Sequence, residues 1–157
     1  MKRFCLLKLF LISTLLVACS RNPMAAIYDN DSKIASQGNS YNYYQTVDQN
    51  INDSDFTASV HGMDGMDTVW TYNADTDSDA QITYDISLKS GNVKLVLISP
   101  DDTLETIFEI TNKENINGAK TLSLPKGKNS IKLVSKDKAE FDISFCIDKG
   151  DYEKLSF

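Results

Sequence analysis

Phe141-Asp-Ile-Ser-Phe-Cys-Ile147 sets Phe141, Ile143, Phe145 and Ile147 on one side of an extended chain and Asp142, Ser144 and Cys146 on the other. Side chains of a strand alternate between faces, so this is the period of a sheet with one face in a core. The same period runs through Ile82, Tyr84, Ile86 and Leu88 against Thr83, Asp85, Ser87 and Lys89. It recurs in Phe56, Ala58 and Val60 against Thr57 and Ser59, and in Leu104, Thr106, Phe108 and Ile110 against Glu105 and Glu109. Thr68 to Tyr72, Leu122 to Leu124 and Ile131 to Leu133 supply further strands. Val93 to Ile98 shows little polar alternation, which places it centrally. Turn residues separate these runs: Gly62 and Gly65, the hairpin signal Ser90-Gly91-Asn92, Pro100-Asp101-Asp102, Asn115 to Gly118 and Pro125-Lys126-Gly127. About eight short strands without an amphipathic helix predict an all-β, antiparallel β-sandwich of jelly-roll type over residues 53–157.

Residues 20–52 are rich in Ser, Asn, Asp, Gln and Tyr, with few aliphatics and no period. They read as a disordered polar tether, spanning about 30 Å as a flexible coil. Tyr41, Tyr43 and Tyr44 are unusual in such a segment and suggest docking on the domain or on a surface polymer.

The N-terminus carries Lys2, Arg3 and Lys8, then a mostly apolar stretch from Phe4 to Val17, then small residues and Cys19. That order is the one of a secretory signal, and the apolar stretch is too short for a spanning helix. Leu16-Val17-Ala18-Cys19 resembles the lipobox of bacterial lipoproteins. The resemblance implies cleavage after residue 18, a diacylglycerol thioether on the Cys19 thiol, and anchorage at the extracytoplasmic face of the cell membrane. The expected divisions are therefore a signal peptide at 1–18, the lipidated cysteine and tether at 19–52, and the β domain at 53–157. The stretches Lys89 to Asp102 and Leu124 to Val134 are similar to two recurrent stretches of small lipoproteins from low-GC Gram-positive bacteria. Those combine a lipobox, a polar tether and one β-sandwich. The architecture is more distantly similar to small jelly-roll domains appended to secreted peptidases. Neither resemblance implies a catalytic motif.

The chain has 16 Lys+Arg and 22 Asp+Glu; with Lys2, Arg3 and Lys8 removed, 13 basic side chains face 22 acidic ones, a net charge of −9. Such a balance argues against nucleic-acid binding, which needs a basic footprint. Residues 28–85 hold eleven Asp and one Lys, whereas residues 86–157 hold eleven acidic and eleven basic side chains. Any preference for cations thus belongs to the front half. Cys146 is the one cysteine left after Cys5 departs and Cys19 is acylated, so no disulfide forms within the chain.

Asp75-Thr-Asp-Ser-Asp79 spaces three carboxylates two residues apart, as the start of an EF-hand loop does. Ala80 stands where that loop needs Gly and Ile86 where it needs a bidentate Glu. A Ca²⁺ site at Asp75, Asp77 and Asp79 would need Asp64 or Asp67 as outside ligands, and a solvated turn is the alternative. His61 is the single histidine, and no nucleophile elbow accompanies it. Glu105 and Glu109 lie about 13 Å apart along one strand and read as solubilising charges. Lys126, Lys128, Lys132, Lys136 and Lys138 crowd one hairpin, as edge protection or as a contact for anionic polymers. Trp70 and Tyr72 share a strand face, either as an exposed pair for sugar or peptide binding or as a core anchor. The expectation is a non-enzymatic, membrane-anchored binding or accessory module, whose partner is a cell-wall polymer, a glycan or a protein. The alternatives are a Ca²⁺-dependent adhesion or carbohydrate-binding domain and, more remotely, a carboxylate-based hydrolase.

Overall fold

The computed structural model describes residues 22–36, 38–53 and 55–157. The signal segment and Cys19 lie outside the described residues. Among the described residues eight strands form one antiparallel sheet: β1 (Ser40–Tyr43), β2 (Val47–Ile51), β3 (Phe56–Ala74), β4 (Ser78–Ile98), β5 (Leu104–Ile110), β6 (Asn115–Leu124), β7 (Gly127–Ile147) and β8 (Asp151–Tyr152). The expected all-β, antiparallel class is what the chain adopts. The order β1-β3-β7-β4-β5 forms its spine; β2 and β8 pair with β3, and β6 with β4.

Three strands are far longer than their periodic runs suggest. Gly62 and Gly65 do not close a turn, and Ser90-Gly91-Asn92 does not close a hairpin; both lie inside continuous strands. The pairing register shifts at His61–Gly65 in β3 against β7 and at Leu88–Asn92 in β4 against β7. Positive φ at Gly62, Gly65, Gly91, Asp137 and Lys138 falls on these same levels. Bulges bend a strand without ending it. Here β3, β4 and β7 bend side by side, and the sheet folds over one core. Tyr84 and Phe108, from opposite halves of the fold, lie with ring centroids 4.9 Å apart. Phe145 meets Tyr152 in the same way at 5.7 Å. Between the halves sit Phe56, Val60, Trp70, Ile82, Ile86, Leu95, Leu133, Phe141 and Phe145, all essentially without solvent contact.

Residues 22–52 are not a free tether. β1 and β2 hydrogen-bond to β3 in register, with Ser40 opposite Met66 and Val47 opposite Val60. A 3-10 turn at Ala25–Ile27 and a short helix α1 (Asp31–Ala35) precede them. Asn30 caps α1, its side chain accepting from the Lys33 N–H at 3.0 Å. Ile27, Tyr28 and Ile34 pack on Met66, Val96, Ile98 and Val134, a second apolar cluster on the outer face of the sheet. Val93 to Ile98 lacks polar alternation because both its faces are covered. The segment looks polar because only a few apolar side chains make that contact.

Lys132 reports the same cover. Far from being one of a row of edge lysines, it is 2% exposed. Its Nζ donates to the carbonyls of Ile34 (2.9 Å), Ser36 and Gly38 (3.3 Å). Burial pushes its pKa below the ordinary lysine value, against the pull of Asp102 and Asp67. Lys94 beside it lies 4.9 Å from the Tyr28 ring centre.

Candidate functional site

The outer face of the half-sheet that the N-terminal segment leaves uncovered carries mainly polar side chains over an aliphatic floor. Register brings its residues into two rows across four strands. One is Asp48, Ser59, Asp142 and Ser87; the next is Asn50, Thr57, Ser144 and Asp85. These positions, with Gln49, Ala58 and Ile143, line an open depression of about 500 Å³. Asp142 accepts the Ser59 hydroxyl and forms an ion pair with Lys89 at 2.6 Å. Both bonds hold its carboxyl below the usual range, the Lys89 bond contributing most. The face therefore offers carboxylate acceptors, hydroxyls and amides, with one paired carboxylate and one lysine at its margin.

Thr57, Ser59, Asp85 and Ser87 are the outward members of alternating runs, so their face is legible in the sequence. Asp48, Gln49 and Asn50 were hidden in the supposed tether. Their only signal is the spacing of Val47 and Ile51 around a polar run, too brief to mark a strand.

The residues of His61-Gly-Met-Asp-Gly-Met-Asp67 serve a different purpose. They form the bend, and its two carboxylates hold the chain ends. Asp64, 2% exposed, accepts from Asn22, from the Tyr44 hydroxyl at 2.9 Å and from the Lys138 N–H at 2.8 Å. Asp67 is fully buried and accepts from Asn39, Tyr43 and both the N–H and hydroxyl of Ser156. Burial raises its carboxyl above the usual range, with the bonds from Ser156 and Tyr43 pulling the other way. Neither aspartate is a spare ligand for the acidic loop.

That loop joins β3 to β4 and stays at the surface. The Asp77 carboxylate accepts the Lys126 N–H at 2.8 Å, and the Asp79 carbonyl accepts the Lys149 ammonium. Among the described residues no three His, Cys, Asp or Glu side chains are grouped to hold a metal ion, so Asp75, Asp77 and Asp79 are not brought together. Trp70 is not an exposed platform for ligand. It is fully buried, its Nε1 donates to the Lys149 carbonyl at 2.7 Å, and Tyr72 stacks beside it at 6.1 Å. The pair is a core anchor, because the bulge between Thr68 and Trp70 turns the indole inward. Glu105 binds Lys120 at 2.7 Å and Glu109 accepts the Tyr28 hydroxyl at 2.8 Å. Cys146 is a free, exposed thiol.

Fold and site together define a small antiparallel β-sandwich with one covered and one open polar face. No known family matches the chain, and no curated protein matches it. Solved structures give loose likenesses. A carbohydrate-binding module from a Cellvibrio mixtus lichenase, in complex with cellotriose, is 12% identical with a TM-score of 0.38, over 69% of this chain and 92% of that one. The pre-peptidase C-terminal domain of a Bacillus anthracis collagenase is 12% identical with a TM-score of 0.34, over 69% of this chain and 88% of that one. A cupin domain from Bordetella pertussis is 14% identical with a TM-score of 0.30, over 66% and 93%.

Proposed function

We propose that this chain is a non-enzymatic binding module, held at the outer face of the cell membrane by lipid on Cys19, and that its polar depression takes a hydroxylated polymer such as an envelope glycan. The depression between β2, β3, β7 and β4 carries the reading. A polyol presents donors and acceptors in turn, and rows of Asp, Ser, Thr and Asn meet both. Hydrogen bonds to carboxylates are the strong members of such a set. Asp48, Asp85 and Asp142 disfavour sulfated or phosphorylated polymers, so the fitting ligand is neutral. No aromatic side chain lines the depression, so single-site affinity is weak and display of many copies on a membrane supplies avidity.

A binding role is supported over catalysis by how the reactive groups are engaged. The Ser59 hydroxyl is bonded to the Asp142 carboxylate, where a nucleophile would need an imidazole base. Glu105 and Glu109 are bound to Lys120 and Tyr28.

Titration calorimetry of the mature chain with envelope glycan fragments tests the reading. Asp85→Asn weakens binding about tenfold, the size expected for one bond to a charged acceptor. Affinity indifferent to Asp85→Asn and Asn50→Ala, or turnover of the glycan, would overturn it. Mass analysis of the Cys19 peptide and release of Cys19→Ser into the medium test the anchor separately.

A further inference from the structure

Asn22 is three residues from Cys19. Three Cα–Cα steps reach about 11 Å at most. Asn22 is itself fixed to the domain: its side chain donates to Asp64 and to the Tyr44 hydroxyl (2.7 Å), and its Oδ1 accepts the Met24 N–H at 3.0 Å. Its carbonyl accepts the Ala26 N–H at 3.1 Å. Asp64 belongs to the bend of β3 and also holds the Lys138 backbone of β7. Asn22 is therefore held at the corner where the long strands bend.

We propose that this corner, carrying Asn22, Tyr44 and Lys138, rests on the phospholipid headgroups, so that the domain is seated on the membrane. The inference rests on the lipidation of Cys19 proposed above. A headgroup layer is about 5–7 Å deep per leaflet. A leash of about 11 Å, starting at the acyl glycerol, leaves only a few ångströms between headgroups and protein.

The corner has the side chains for that contact. Tyr44 is 41% exposed, one of two large apolar side chains so exposed among the described residues. The Lys138 ammonium lies 4.8 Å from its ring centre. Tyrosine favours the interface of a bilayer, and a lysine laid along an aromatic ring presents its charge to phosphate. Lys136 is neutralised by Asp29 at 2.9 Å, and Asp137 accepts from Asn92 at 2.7 Å. The local charge is thus nearly balanced, and the short leash with Tyr44 and Lys138 does the seating. The Asp75–Asp79 loop and the Pro125–Lys126 turn, joined through Asp77, occupy the other end of the bent strands and face away.

The test uses the mature, lipidated chain in vesicles of phosphatidylethanolamine and phosphatidylglycerol with a nitroxide on the headgroup. A fluorophore goes on native Cys146, or on Ala26→Cys combined with Cys146→Ser. Cys146 lies seven strand residues beyond Ala139, about 23 Å from the bend. The label at position 26 is quenched several-fold more than the label at Cys146. Asn22→Ala, or twenty Gly/Ser residues inserted after Ser20, brings the two values together. Equal quenching of both labels in the acylated native chain overturns the seating and leaves the lipid anchor standing. A Cys19 without acyl groups overturns the anchor and the seating with it.

Discussion

Tyr28 and Tyr43 hold the N-terminal segment to the sheet through phenols kept neutral. Burial raises both pKa values far above the ordinary 10.0; Glu109 adds to it at Tyr28 and Asp67 at Tyr43. In the unfolded chain both phenols ionise near pH 10.0, while in the native chain they stay protonated. The native state therefore binds more protons across that interval, and stability falls as pH rises beyond the unfolded value. Tyrosinate absorbance of the native protein should thus show Tyr28 and Tyr43 silent until the fold opens. Tyr28→Phe and Tyr43→Phe should each remove one late-titrating group. Ionisation of all seven tyrosines in one early step, with the circular dichroism unchanged, would contradict the buried placement. Asp64 and Asp67 act at the same scale: each is a buried carboxylate bonded to chain segments distant in sequence.

At the scale of elements, the bend depends on backbone conformations that few side chains tolerate. A Cβ on Gly91, at φ +76, would stand 2.6 Å from the Ala139 Cα and 2.7 Å from the Lys136 carbonyl oxygen. Gly91→Ala should cost about 2 kcal/mol or more, since left-handed strain alone is worth about 1–3 kcal/mol. Gly38, where an added methyl group would meet nothing within 4 Å, is the control, and Gly38→Ala should be near neutral. Denaturant melts of the two variants make the comparison; equal midpoints would mean the bend is not built on Gly91. The periodic runs on either side of each bend were legible in the sequence. Their fusion into strands of about twenty residues was not, because Gly91 signals a turn and a bulge equally well.

For the whole molecule, the N-terminal segment is the layer that decides which face is open. Removing it should strip Ile27, Tyr28, Ile34 and Val47 from the apolar contacts they make. Each buried side chain of that kind contributes roughly 1.5–3 kcal/mol. A chain beginning at residue 53 should therefore lose its cooperative thermal transition and bind a hydrophobic dye, whereas a chain beginning at residue 22 should not. A sharp melt from residue 53 onward would show that the segment is dispensable.

Sequence alone establishes the all-β class, the inward faces of most strands and the outward Thr57, Ser59, Asp85 and Ser87, because strand periodicity is local and needs no knowledge of partners. It also carries the lipobox resemblance at Cys19. Register, the common bend, the burial of Trp70 and Lys132, and the joining of Asp48 and Asn50 to Asp85 and Asp142 were decided only in the tertiary structure. Each depends on which distant strand pairs with which, and a polar segment can cover an apolar face with only a few well-placed side chains.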